Sequence, residues 1–231
     1  MINNDFEWCA NRKTENVETA RYGVSSTAGC DYSACDITYS ADGTSFAVEC
    51  PDGGRFELKT RLVGECNISN LVAAVVVALR MGLSHEEIRR AVESIEQVEH
   101  RLSVKRTPGG ITIIDDAFNS NPVGSRMAVD VLSQFKGGQR IIVTPGMIEL
   151  GTEQEALNRA LGKHIGNSVD LAIVVGNYNR EALVSGILDS GFDKKNLHVV
   201  DTFADSQVLL SKILKPGDTV LYENDLPDSF K

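Results

Sequence analysis

Polar side chains that could do chemistry are concentrated in three loops of the sequence, each of which follows a short apolar run. The first loop carries two carboxylates, Asp115 and Asp116, and two amides, Asn119 and Asn121. The other two are rich in glycine or asparagine and span residues 145–151 and 176–179. Because ligands of open parallel sheets bind beyond the carboxyl ends of the strands, these loops are candidate sites. The same residue types also form Asx turns and helix caps, so a purely structural role stays open.

Several motifs of common binding and catalytic sites are absent from the sequence. It contains no G-x-x-x-x-G-K-[ST] or G-x-G-x-x-G phosphate loop and no G-x-S-x-G nucleophile elbow. It contains no C-x-x-C pair and its four histidines are scattered, so we expect no metal site. The chain by itself is therefore not expected to cradle a nucleoside triphosphate.

The apolar pattern predicts an α/β protein whose two parts differ. In the first part, short β-type runs separated by turns predict an antiparallel meander over residues 36–62. A helix is predicted from Asn70 to about Met81. Because it carries apolar residues on every side, we expect every face of this helix to be buried. A second helix is predicted to begin at Ser84, with Glu87 completing a capping box.

Downstream of residue 101, predicted strands and helices alternate. A hairpin-like pair of strands is followed by a helix, and Asn121 and Pro122 indicate where that helix begins. Thr152 and Glu155 predict a capping box at the start of a later helix. The predicted strands span residues 102–106, 111–114, 140–144, 171–175, 197–200 and 219–222. Such alternation predicts a doubly wound, mostly parallel, Rossmann-like sheet. We therefore expect one domain over residues 1–101 and a second over 102–231.

Composition and charge exclude several classes of binding partner and indicate a cellular location. The 231 residues carry a net charge of −9, which argues against binding to nucleic acid or to an anionic membrane. The longest apolar run, residues 71–79, is shorter than the ~18 residues of a transmembrane helix. The five cysteines are odd in number and lie in the first 66 residues, which favours reduced thiols. With no secretory pattern at the N-terminus, we expect a cytoplasmic location.

Four segments together resemble successive motifs of the Mur ligase family. They are residues 64–74, His100-Arg101, residues 114–122 and residues 146–151. Their order and spacing are those of the branch that joins D-alanyl-D-alanine to UDP-N-acetylmuramoyl-tripeptide. The chain resembles only the second half of such an enzyme: the end of the central ATPase domain, without its P-loop, followed by the C-terminal domain. The oligomeric state stays open.

The resemblance implies a ligase of peptidoglycan precursor synthesis that requires ATP and Mg²⁺. In such a ligase, the carboxylate of a UDP-linked muramoyl peptide becomes an acyl phosphate. The amine of D-alanyl-D-alanine then attacks it, giving an amide, ADP and phosphate. The resemblance also implies that this chain alone, without the P-loop region, is inactive.

The resemblance implies binding roles for seven residues. Four are expected to bind ATP: Asn67, Asn70, Arg101 and Asp116. Three are expected to line the cleft that faces the central domain: Asn119, Asn121 and Glu149. An asparagine amide can donate to and accept from adenine, a guanidinium suits phosphate, and a carboxylate accepts from ribose hydroxyls. As alternatives, Asn67, Asn70 or Asn121 caps a helix and Arg101 is a surface cation.

The sequence departs from the family pattern at two places. Cys66 stands where the family usually has histidine, and residues 222–228, with three acidic side chains, replace the usual Lys-Gly-Ser-Arg segment. We expect this exchange to lower the local positive potential and to disfavour capture of an acceptor's free carboxylate. The acceptor is therefore left open.

Two alternatives remain beside the peptide ligase. One is a relative with another substrate, of the folylpolyglutamate or cyanophycin synthetase type. The other is a free-standing, non-catalytic binding module that lacks the ATPase front. A G-K-T or G-K-S loop upstream of this chain favours the enzyme, and its absence favours the module.

Overall fold

The computed structural model describes residues 1–40, 42–118 and 120–225, and it divides the chain into two compact units. Unit 1 spans Met1–Glu96 and unit 2 spans Gln97–Lys231. The boundary between them precedes the predicted one, after residue 101, by five residues. In the described residues, no helix is both long enough and apolar enough to cross a lipid bilayer.

Unit 1 is built on a five-stranded sheet. Its strands, in their order across the sheet, are β1 (Ile2–Asn3), β2 (Arg21–Gly23), β3 (Tyr32–Ser40), β4 (Gly43–Glu49) and β5 (Arg55–Thr60). The last three are antiparallel, which confirms the predicted meander. Gly43 fits the turn between β3 and β4 because its φ is 122° and a Cβ there would lie 2.0 Å from the Thr60 carbonyl oxygen.

Three helices complete unit 1: α1 (Glu7–Ala10), α2 (Glu65–Arg80) and α3 (His85–Glu93). Helix α2 begins five residues before the predicted start, at Gly64 as its N-cap. It buries one face against the sheet, whereas Val77 and Met81 are exposed, so the prediction of burial on every side was wrong. The capping box of Ser84 and Glu87 at the start of α3 is confirmed.

Unit 2 is a doubly wound α/β sheet of six strands. The strands are β6 (Ser103–Arg106), β7 (Thr112–Asp116), β8 (Arg140–Thr144), β9 (Leu171–Val175), β10 (Leu197–Val200) and β11 (Thr219–Glu223). The helices between them are α4 (Pro122–Gln134), α5 (Gln154–Ser168), α6 (Arg180–Asp189) and α7 (Phe203–Ile213). The sheet order is β10-β9-β8-β11-β7-β6, and every pair is parallel except β6 with β7. The predicted mostly parallel sheet is confirmed.

Strand β11, the last in sequence, lies between β7 and β8. Its central residues, Val220 and Leu221, are apolar and fully buried, and Leu221 is paired with Ile114 on one side and Ile142 on the other. This apolar burial fixes the register, in which Glu223 is paired with Asp116. The carboxyl ends of three strands therefore meet at one edge of unit 2.

Helices α5 and α6 pack closely against each other. A Cβ on Gly186 would lie 2.0 Å from the Arg159 carbonyl oxygen, so only glycine permits this approach. The predicted capping box of Thr152 and Glu155 does not form. A 3₁₀ turn over Gly151–Glu153 precedes α5 instead, and the helix begins without a side-chain cap.

The segment between α3 and β6, residues 94–102, is the expected site of limited proteolysis. It lacks helix and strand, and Glu96 and Glu99 are exposed. We expect a glutamate-specific protease to cut there first and to release a stable piece beginning near residue 97 or 100, identified by mass spectrometry. A variant with Glu96→Gln and Glu99→Gln should resist this first cut. First cleavage within residues 140–220 would contradict the division.

Candidate active site at the carboxyl edge of unit 2

The carboxyl ends of β7, β8 and β11 bring several polar side chains together. Asp115 and Asp116 end β7, Thr144 ends β8 and Glu223 ends β11. The register pairs Glu223 with Asp116 directly. This edge is where open α/β sheets bind ligands, so the structure groups the predicted carboxylates at a chemically suitable place.

Asp116 lies in a half-buried environment that raises its pKa. Its carboxylate accepts a hydrogen bond from the Leu102 backbone N–H, with 3.1 Å between Oδ1 and N. Burial raises the pKa of Asp116 to about 6, the Leu102 N–H opposes this rise, and the negative charge of Glu223 adds to it. Arg101 lowers the pKa and Asp115 raises it. At neutral pH the side chain is mainly an ionised acceptor.

Arg101 is held beside Asp116 by the backbone of residues 100–102. His100 and Leu102 both have positive φ, 60° and 52°, which is unusual for these residue types. The His100 Nδ1 lies 3.1 Å from Asp115 Oδ1, and the His100 carbonyl oxygen accepts from the Phe118 N–H. The Arg101 guanidinium lies 4.4 Å from the centroid of the exposed Phe118 ring, a cation–π contact. The structure thus brings Arg101 and Asp116 to one edge.

The other predicted residues of unit 2 lie in different settings. Asn121 is the N-cap of α4, and its side-chain oxygen accepts from the N–H groups of Val123 and Gly124 at 3.1 and 2.9 Å. Glu149 is exposed in the loop after β8, with a φ of 63°. Asn119 lies outside the described residues. A capping role for Asn121 leaves its second polar group, the amide nitrogen, for a ligand.

Asn67 and Asn70 belong to unit 1, in the first turns of α2. Neither is the N-cap, which is Gly64 with a φ of 94°. The Asn67 side chain donates from Nδ2 to the Val63 carbonyl oxygen at 2.7 Å. Asn70 is exposed.

Three amide side chains hold the 145–151 loop, and only one of them, Asn179, lies in a loop that the sequence indicated as a candidate site. They are Gln154, Asn158 and Asn179. Asn158, fully buried, accepts from the Met147 N–H at 2.8 Å and donates to the Met147 carbonyl oxygen at 3.0 Å. Asn179 donates to the Pro145 carbonyl oxygen at 2.9 Å. For Asn158, the available signal in the sequence was its position next to Leu157 on a predicted helix, where it is a polar residue among residues expected to pack inward.

The described part of the acidic segment at the end of β11 is largely buried. Glu223 is fully buried and accepts hydrogen bonds from serine and threonine hydroxyls, and Asn224 is also buried. Residues 226–228, the last part of the departure from the family pattern, lie outside the described residues. Of the three acidic side chains expected to lower the local positive potential, Glu223 is therefore buried and Asp225 is exposed.

Comparison with known families decides the relationship. Residues 100–222 match the Mur ligase glutamate ligase domain and residues 1–78 match the Mur ligase middle domain. The chain belongs to the Mur ligase family. The predicted motifs at His100-Arg101 and residues 114–122 lie in the first part of the matched glutamate ligase domain.

Among curated relatives, the chain is similar to the UDP-N-acetylmuramoyl-tripeptide–D-alanyl-D-alanine ligase of Haemophilus influenzae. The two are 30% identical over 168 residues, which cover 73% of this chain and 36% of the relative. The chain thus spans little more than a third of that relative's length.

Two solved structures show that the fold is that of Mur ligases. The MurF ligase of Thermotoga maritima in complex with ADP has a TM-score of 0.74 at 22% identity, covering 90% of this chain and 45% of that one. Folylpolyglutamate synthetase of Lactobacillus casei has a TM-score of 0.56 at 16% identity, covering 88% and 44%. Because both enzymes share the fold, the fold alone does not choose between their substrates.

The raised pKa of Asp116 gives a prediction for stability. A carboxyl group whose folded pKa lies above its ordinary value of 3.8 lowers stability as pH rises from about 4 to about 6. Asp116→Asn removes that charge and keeps an oxygen for the Leu102 N–H. Its free energy of unfolding relative to wild type should rise by up to about 3 kcal/mol between pH 4 and pH 8, measured by urea denaturation.

Asp170 provides a control of opposite sign. Its hydrogen bonds from Arg140 lower its pKa, so it contributes stability above its ordinary pKa that is lost as pH falls. The stability of Asp170→Asn relative to wild type should therefore fall as pH rises towards about 4, and then stay nearly constant between pH 4 and pH 8. A difference between Asp116→Asn and wild type that does not change with pH would contradict the proposed environment of Asp116.

Proposed function

We propose that this chain is the C-terminal half of an ATP-dependent amide ligase that joins D-alanyl-D-alanine to UDP-N-acetylmuramoyl-tripeptide. The observation that carries the proposal is the placement of Arg101 and Asp116 at one carboxyl edge, within motifs of the Mur ligase family. The similarity to a ligase of that name in Haemophilus influenzae supports this branch. Peptidoglycan precursor synthesis is the process in which such a ligase acts.

Arg101 and Asp116 have complementary parts in this proposal. ATP, when bound, supplies the phosphoryl group that activates the peptide carboxylate. Arg101 presents a permanently charged planar fork, and its contact with Phe118 limits the positions of the guanidinium before the phosphates arrive. Asp116, with a pKa of about 6, is ionised at neutral pH and accepts hydrogen bonds from ribose hydroxyls.

The remaining predicted residues keep their roles as proposals. Asn67 and Asn70 are proposed adenine contacts, and Asn119, Asn121 and Glu149 are proposed substrate contacts. Mg²⁺ is proposed to arrive with the nucleotide phosphates. Among the residues that the structure describes, no group of three or more His, Cys, Asp or Glu side chains is arranged to hold a metal ion. We place the reaction in the cytoplasm, where ATP is available and thiols stay reduced.

A second candidate is a Mur ligase relative of the folylpolyglutamate or cyanophycin synthetase type. The observation that favours it is the exchange of the usual basic segment for Glu223 and Asn224, which the structure buries. A non-catalytic binding module is the third possibility. The three candidates differ in what they turn over, so one assay separates them.

The assay measures ADP release by the complete protein that contains this chain. We expect ADP release to require both UDP-N-acetylmuramoyl-tripeptide and D-alanyl-D-alanine, and the 231-residue chain alone to release none. ADP release that requires a folate together with glutamate, or an aspartate-arginine polymer together with aspartate or arginine, would establish the second candidate. Absence of turnover with every substrate, together with a folded protein, would establish the module.

Arg101 can be tested against a matched arginine five residues away. Arg101→Ala in the complete protein should lower the ligation rate by about 10²-fold or more, because it removes a positioned charge-stabilising group. Arg106→Ala, on the exposed side of β6, should leave the rate within about twofold. Steady-state ADP release measures both. Equal rates for Arg101→Ala and Arg106→Ala would show that Arg101 does not serve the reaction.

A further inference from the structure

Glu223 is a buried carboxylate on which three hydroxyl groups converge. The hydroxyls of Ser120 and Ser125 lie 2.5 and 2.7 Å from Oε1, and that of Thr144 lies 2.5 Å from Oε2. The two serine hydroxyls also contact each other. Glu223, Ser125 and Thr144 are all at most 1% exposed. A buried carboxylate is retained in a fold only when such donors compensate its lost hydration.

The three hydroxyls come from separate parts of the edge. Ser120 lies in the loop after β7, Ser125 lies on α4, and Thr144 ends β8. Thr144 also accepts from the Gly146 N–H at 2.9 Å, so the contact with Glu223 extends to the 145–151 loop. One carboxylate, at the end of β11, thereby links the segments that follow β7 and β8, the strands on either side of β11.

Asn224 continues the same linkage on the other side. Its side chain donates from Nδ2 to the Gly146 carbonyl oxygen at 2.6 Å, and its backbone N–H donates to the Asp116 carbonyl oxygen at 3.1 Å. Its φ of 60° is one that asparagine tolerates better than most residues. Gly146 is therefore held at both its N–H and its carbonyl, and Asp116 is held by its backbone.

We infer that Glu223 and Asn224 form a positioning pair, which sets the loop after β7 and the 145–151 loop in register with Asp116. The pair lies within residues 222–228, the segment in which the sequence departs from the family pattern described above. The inference depends on the proposed function only for the identity of the ligand that the edge receives. Both residues act through Asp116 and the loops and do not need to touch substrate.

Two substitutions at residue 223 distinguish the effect of its negative charge from the effect of its side-chain length. Glu223→Gln keeps the length but replaces one oxygen by an NH₂ donor, so at least one hydroxyl proton loses its acceptor in either orientation. Glu223→Asp keeps the charge but withdraws it by one methylene. Glu181→Gln, an exposed carboxylate on α6, is the matched control for loss of charge.

The readout is nuclear magnetic resonance on the 231-residue chain, which requires no activity. We expect amide hydrogen exchange at Gly146 to accelerate at least about tenfold in Glu223→Gln and Glu223→Asp, while amides of α7 keep their rates. The pKa of Asp116, followed by its carboxyl resonance, should fall in Glu223→Gln and stay raised in Glu223→Asp, because Glu223, Arg101 and Asp115 are the charges that act on it. Glu181→Gln should match wild type in both measurements.

Two results would overturn the inference. Equal acceleration of exchange at Gly146 and throughout α7 would show that Glu223 stabilises the unit as a whole and positions nothing in particular. Wild-type exchange at Gly146 together with an unchanged Asp116 titration would show that the pair is dispensable. If the complete protein lacks ligase activity, the proposed function fails while these measurements still decide the role of the pair.

Discussion

The insertion of β11 between β7 and β8 is the constraint on which unit 2 depends. Strands that are distant in sequence become neighbours, and parallel pairing brings their carboxyl ends to one edge. The apolar residues of β11 fix its register, and the register in turn places Glu223 beside Asp116. Hydrophobic burial, which is not directional, thus determines where directional hydrogen bonds form at the edge.

The edge combines rigid and accessible groups in a way that suits ligand binding. The backbone of the 145–151 loop is held by hydrogen bonds to the side chains of Thr144 and Asn224, and by further hydrogen bonds to the buried amides of Asn158 and Asn179. In contrast, Phe118 and Glu149 are exposed. Side chains that face solvent on a braced backbone lose little conformational entropy when a ligand arrives. This arrangement explains why loops with so many glycines can hold a defined geometry.

The sequence predicted those features of the fold that depend on local periodicity. The meander of unit 1 and the alternation of unit 2 follow from apolar spacing and turn residues, and both are present. Strands β1 and β2 have two and three residues, too few for a period to show, and they were not predicted. The capping box at Thr152 was wrong because α5 begins only at Gln154, after a 3₁₀ turn, so that Glu153 and not Thr152 is at the N-cap position.

The candidate site was predictable only in part, for a physical reason. Asp116 could be selected because it lies just after a predicted strand, whereas Arg101 could be selected only through the resemblance to a family motif. The contacts of Glu223 join residues 79 to 103 positions apart, and no local pattern reports such pairings. Glu223 was therefore grouped with the other acidic residues of the altered segment, and its burial became evident only from the position of β11.

Transfer of labelled oxygen tests the central claim, that this edge serves ATP-dependent activation of a carboxylate. UDP-N-acetylmuramoyl-tripeptide labelled with ¹⁸O in the carboxylate to be joined is incubated with ATP, D-alanyl-D-alanine and the complete protein. If the carboxylate is phosphorylated before the amine attacks, one labelled oxygen leaves with the phosphate, and mass spectrometry detects singly labelled phosphate in an amount equal to the amide. Amide formation with unlabelled phosphate would contradict the account.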